Sequence, residues 1–134
     1  YRRALAAAGL PYVRNLVFGS TADFGYAKGR AAARYFLDHK IDLDGLFAQS
    51  DEEAVGALNV FCDAGVKVPE SLRIVGVDNA PYVEFSRVPL TSVSQSGHER
   101  GRIAVELLLS LLEGKPVQSA VVAPELVVRA SSRS

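Results

Sequence analysis

Three short polar clusters each follow an apolar run in this sequence: Gly19-Ser20-Thr21, Gln49-Ser50-Asp51 and Asp78-Asn79. A carboxylate such as Asp78 accepts two hydrogen bonds in a fork, which suits the vicinal hydroxyls of a sugar or a base N–H. The same residue at a strand end also suits an Asx turn. Ser50 offers a hydroxyl, but Glu53 three residues later makes it equally the first residue of a helix capping box. Asp51 would stand in the first helical turn, where the dipole favours an anion. Little in the chain suggests catalysis. His39 and His98 are isolated from Cys and acidic residues at metal-ligand spacing, and Cys62 falls on an apolar helix face. There is no Gly-x-Ser-x-Gly, no dinucleotide-type glycine turn and no phosphate loop. The residues point to a binding module, not an enzyme, with neither cofactor nor metal.

The elements that must position these clusters alternate. Asn15 to Gly19 reads as a buried strand and residues 25–39 as a helix, with Gly29, Ala32 and Ala33 permitting close packing. Gly45 to Gln49 is a second strand. A helix opens at Ser50 and stops at Gly65, with Ala54, Leu58 and Phe61 on one face and Val55 and Cys62 beside it. Arg73 to Val77 is a third strand. Residues 81–86 form a loop or one helical turn, and Leu90 to Val93 a short strand. Ser96 and Glu99 read as a second capping box, opening a helix that runs to about Glu113 before Gly114 and Pro116. Val121-Val122 and residues 125–129 read as edge strands around Pro124. This order predicts an α/β fold with a doubly wound, mainly parallel sheet flanked by helices. Ligands of such sheets bind beyond the carboxyl ends of the strands, where the three polar clusters fall.

Composition sets the outer bounds. The chain has 134 residues, 49% hydrophobic and 22% charged, enough for one domain with a core. Fifteen basic and fifteen acidic residues cancel, which argues against a large DNA-binding face on this segment. A single cysteine precludes an intrachain disulfide and fits a reducing cytoplasm. No apolar run is long enough for a membrane span. The opening residues Tyr1 to Gly9 read as a helix already under way rather than a secretory leader, so the chain is expected to be cut from something larger.

Several stretches resemble the LacI/GalR family of transcription regulators. They include Tyr1-Arg2-Arg3-Ala4-Leu5, Asp44-Gly45-Leu46-Phe47-Ala48 and the long run from Ala64 to Asn79, with Gly65-Val66-Lys67-Val68-Pro69-Glu70 at its centre. Pro89-Leu90-Thr91-Ser92-Val93 and Pro124-Glu125-Leu126-Val127-Val128-Arg129-Ala130-Ser131 complete the match, in the family's order. The resemblance implies a periplasmic-binding-protein-like sensor core of two subdomains. Residues 1–94 and 120–131 would form the C-terminal subdomain, and helix 96–113 would cross over from the N-terminal one. The DNA-binding headpiece would lie upstream of this chain.

On that resemblance, Asp78, Ser50, Gln95 and Ser20 match effector-facing positions. Gln95 would be either a ligand contact or a hinge residue. Ser20 or Thr21 stands where relatives often stack an aromatic ring; Phe18, Phe24 or Tyr82 could substitute, although each fits plain core or surface packing more simply. Val55, Leu58, Asn59 and Phe85 match a dimer interface, although Val55 and Leu58 also fit plain core. The implied partners are a sugar-like effector, a second copy of the chain and operator DNA reached only through the headpiece, with no membrane. The implied location is the cytoplasm. A periplasmic sugar-binding protein of a transporter or chemoreceptor has the same fold and is the alternative. With one side of the cleft only, the isolated chain is expected to bind sugar weakly or not at all. Helix 96–113 carries Ile103, Leu107, Leu108, Leu111 and Leu112 on one face, worth roughly 8–15 kcal/mol if buried. That stripe is expected to need a covering surface.

Overall fold

Two glycines set how the first layer packs. A Cβ on Gly29 would overlap the Glu53 carbonyl oxygen, and one on Gly56 would overlap the Tyr26 carbonyl oxygen. In the computed structural model, which describes residues 1–19 and 24–133, these glycines let helices α2 (Gly25–Asp38) and α3 (Asp51–Asp63) touch backbone to backbone. Gly56→Ala is expected to force the pair apart and cost about 1–3 kcal/mol, as overpacking does. Chemical denaturation reads it as a lower midpoint at unchanged slope. A shorter helix, α1 (Arg2–Ala7), opens the chain and has no buried residue.

Helix α3, with α2 packed on it, lies against a four-stranded sheet in the order β1 (Gly45–Phe47), β2 (Arg73–Val77), β3 (Thr91–Ser94), β4 (Glu125–Val127). The first three strands are parallel, with Phe47 opposite Val75 and Val77 opposite Val93; β4 runs antiparallel to β3. The expected α/β class with a mostly parallel sheet and flanking helices holds. Ala33 and Phe36 of α2, Ala54, Leu58 and Phe61 of α3, Ile74 of β2, and Val83 and Leu90 form the core, each almost wholly buried. The terminal segment clasps the starting ends of two strands. Ser131 Oγ accepts from Thr91 N–H (2.8 Å) and donates to Ile74 O (2.6 Å), while Ile74 N–H donates to Ser131 O (2.9 Å). The strands therefore start from a fixed edge, and their far ends are fixed with them.

Three local expectations change. Asn15 to Gly19 is not a strand. Arg14–Leu16 form a 3-10 turn, Arg14 Nη1 donates to Val17 O, and Phe18 packs on Tyr35 with centroids 5.5 Å apart. A short apolar run can bury itself against a helix as well as in a ladder, and periodicity cannot tell the two apart. The second capping box is absent. Ser96 adopts φ 51°, ψ 48°, outside the extended region that aims a capping hydroxyl at the helix, and Glu99 pairs with Arg102 instead. That hydrogen bond holds the Glu99 carboxyl below its ordinary range. Finally, Val121-Val122 forms no strand: the sheet ends on β4, and Val121 is 95% exposed.

The helix after Ser96, α4 (Gly97–Leu112), has no buried residue. Its apolar face borders a shallow cavity of about 170 Å³, shared with Ala120 and Val122, and Leu108, Leu111 and Leu112 are exposed. No helix among the described residues is long and apolar enough to cross a membrane.

Candidate functional site

Because β1, β2 and β3 are parallel and in register, their carboxyl ends reach one rim of the sheet. Ser50 stands three residues beyond β1, Asp78 directly after β2 and Gln95 directly after β3. A bond from Ala80 N–H to Asp51 Oδ2 (2.8 Å) ties the end of β2 to the start of α3, so the Ser50 and Asp78 clusters converge.

Asp78 is exposed, and its backbone N–H donates to Val93 O (2.9 Å). Its Oδ1 accepts from Gln95 Nε2 (2.8 Å), and Gln95 Oε1 accepts from Arg100 Nη1 (2.9 Å). This relay orients the Gln95 amide, and the carboxylate keeps lone pairs for further donors. Ser50 is half-buried, and its Oγ accepts from Glu53 N–H (3.2 Å). The reciprocal half of the capping box is replaced by an ion pair from Glu53 to Lys28 at 3.0 Å. The cap uses Ser50 as an acceptor and leaves its O–H able to donate. Ser20 lies outside the described residues. Gln95 and Arg100 also line a more open groove of about 380 Å³ with residues 120–122 and Pro124, so the relay joins the rim to the uncovered side of α4.

Of the three candidate aromatics, Phe18 packs against the core and Phe24 is 82% exposed. Tyr82 lies at the rim. Its phenol is pushed above its ordinary value by partial burial, then by the negative charges of Asp51, Glu52 and Asp78. Among the proposed interface residues, Phe85 is 87% exposed, Val55 packs beside the core, and Asn59 Nδ2 donates to the Tyr26 hydroxyl (2.9 Å). Leu58 does not belong with them: it is fully buried among the core residues, where a partner chain cannot touch it. Burial pushes the Cys62 thiol upward, as befits a core-facing residue. Among the described residues no group of three or more His, Cys, Asp or Glu is placed to hold a metal.

Two residues matter more than their sequence positions suggest. Asp51 is 1% exposed, so it is no mere first-turn anion. Its sequence signal is Gly76, a glycine inside an apolar strand, where a Cβ would overlap Asp51 Oδ1. Arg129 Nη1 donates to Leu90 O (2.9 Å) and its Nη2 to Asn79 Oδ1 (2.8 Å), bracing the turn after β2 from the other side. Nothing in its neighbourhood in the sequence signals that reach across the fold.

Residues 1–132 match the family described as the periplasmic binding protein-like domain. The chain belongs to that family. Its relatives are LacI-type transcription regulators. It is 39% identical to the HTH-type transcriptional regulator CelR of Thermobifida fusca, over 98% of this chain and 38% of that protein. It is 38% identical to the HTH-type transcriptional repressor CytR of Escherichia coli, over 84% of this chain and 33% of that protein. Among solved structures, a transcriptional regulator CelR–cellobiose complex superposes with TM-score 0.87 at 38% identity, covering 98% of this chain and 40% of that one. This periplasmic binding protein-like domain thus spans well under half the length of the regulators it matches.

Proposed function

We propose that the chain is the effector-sensing part of a cytoplasmic LacI-type transcription regulator, not an enzyme, and that its effector is a sugar or sugar derivative. The observation that carries this is the exposed Asp78 carboxylate at the carboxyl ends of three parallel strands, joined to Gln95 and on the same rim as Ser50. A forked acceptor, an oriented amide and a hydroxyl form a donor–acceptor set suited to sugar hydroxyls. The likeness to a regulator solved with cellobiose supports the same class. So does the likeness, at 27% identity and TM-score 0.84, to a LacI family regulator from Lactobacillus casei with bound sucrose.

In this reading residues 1–94 and 120–131 supply one side of a cleft. Helix 96–113 belongs to the subdomain opposite. A sugar held across the cleft favours one orientation of the two subdomains, and a dimer converts that into a changed spacing of its DNA-binding heads. Val55, Asn59 and Phe85 are the dimer-facing residues. The effector must bind the two orientations with different affinity, or it shifts nothing.

A thermal-shift panel of sugars, cellobiose included, against the intact protein tests the reading. One sugar is expected to raise the melting temperature in a concentration-dependent way, with about 2.7 kcal/mol of stabilisation at 100 times its Kd. A panel in which no sugar stabilises the protein contradicts it. Sedimentation of the same samples is expected to show a dimer.

A further inference from the structure

The turn that carries Asp78 stands at backbone angles that residues with a Cβ rarely adopt: φ is 112° at Asp78 and 54° at Asn79. Two such residues in succession persist only where their surroundings hold them. The ties are specific. Asp51 Oδ2 accepts from Ala80 N–H at 2.8 Å, and Asp51 Oδ1 accepts from the Ser92 hydroxyl at 2.6 Å. That same hydroxyl oxygen accepts from Asn79 N–H at 2.9 Å. Asp51 is buried to 1% exposure, so a ligand at the rim cannot touch it.

We propose that Asp51 is a positioning residue for the effector site: through Ala80 and Ser92 it holds the Asp78–Asn79 turn in its left-handed form, and so holds the Asp78 carboxylate where Gln95 meets it. The proposal rests on the reading of Asp78 as an effector contact. It requires a carboxylate because both oxygens face donors. An amide at this position must turn its NH₂ toward one of them. Facing Ala80 N–H, it sets donor against donor. Facing Ser92, it takes away the acceptor of a hydroxyl that already receives Asn79 N–H. Either way one buried donor is left without a partner, a cost the turn escapes by relaxing. Gly76 marks the same requirement from the sheet side, since any side chain there would displace the Asp51 carboxylate.

The test is Asp51→Asn in the intact protein, read by a crystal structure and by calorimetric titration with cellobiose. The expected structure has Asp78 out of the positive-φ region and its contact with Gln95 broken. The expected affinity for cellobiose falls about tenfold. In an Asp78→Asn background the same change has no further effect on affinity, because Asp51 acts only through Asp78. A purely structural role lowers the melting temperature while the turn geometry and the affinity stay as in the wild type; that result overturns the proposal. Should Asp51→Asn fail to fold, Ser92→Ala removes the hydroxyl that bridges Asp51 to Asn79 and is expected to release the turn in the same way. If Asp78→Asn binds cellobiose unchanged, or neither cellobiose nor any other sugar of the panel binds the wild type, the functional reading is what fails. The crystal structure then still decides whether Asp51 positions Asp78.

Discussion

Asp78→Asn in the intact protein is expected to weaken sugar binding by about 10- to 100-fold while changing folding stability by no more than about 0.5 kcal/mol. The substitution is chosen because it separates charge from shape. Asparagine tolerates positive φ better than most residues and keeps an oxygen for Gln95 Nε2 to donate to. What it loses is the second acceptor and the negative charge, which are the parts that would receive sugar hydroxyls. A hydrogen bond to a charged group contributes about 1.5–3 kcal/mol, which sets the range of the affinity loss. Asp78 is exposed, so its charge has no desolvation cost for folding to recover. Titration calorimetry with the sugar that stabilises the wild type most gives the affinity, and a denaturation midpoint gives the stability. A variant that binds like the wild type would remove Asp78 from the site.

Leu58→Ala carries the largest expected loss of stability. Leu58 is fully buried, among core residues that include Ala54, Phe61 and Ile74. Truncating a buried leucine removes its transfer energy and leaves a cavity, together about 2–5 kcal/mol. That is a large fraction of the 5–15 kcal/mol that holds a typical domain folded. The same variant separates core from interface. A core role lowers the unfolding midpoint at every protein concentration and leaves dimer dissociation unchanged. An interface role shifts the dimer dissociation constant and spares the midpoint at high concentration, and that outcome would contradict the placement of Leu58.

The elements that local chemistry dictates are legible in the sequence. Arg73 to Val77 reads as a strand because it is a short, β-branched, apolar run, and it is one. Ser50 reads as a cap because Glu53 follows three residues later; Glu53 N–H does reach its hydroxyl, while the Glu53 carboxylate pairs with Lys28 instead of returning to Ser50. The Asp78 and Ser50 clusters meet as expected because parallel strands put like ends together, a consequence of topology rather than of side chains. What sequence could not supply is set by distant partners. Leu58 fits an interface face and a core face equally in a helical pattern, and only the packing of α2 decides. Ser96 has the right spacing for a capping box, yet its left-handed backbone points the hydroxyl elsewhere. Asp51 has the composition of an ordinary first-turn acid. Its partners, Ser92 and Ala80, are 41 and 29 residues away, and no local pattern announces them. Arg129 braces Asn79 from 50 residues away. The parts that resisted reading are the long-range polar ties that shape the turn after β2, and these bear most directly on the site.

That site can be put to one direct observation: a crystal structure of the intact protein with the sugar that raises its melting temperature most. Sugar hydroxyls are expected within hydrogen-bond reach of the Asp78 carboxylate, with the Gln95 amide and the Ser50 hydroxyl around the same ring. Sugar density at another place, with Asp78 still open to solvent, would contradict it.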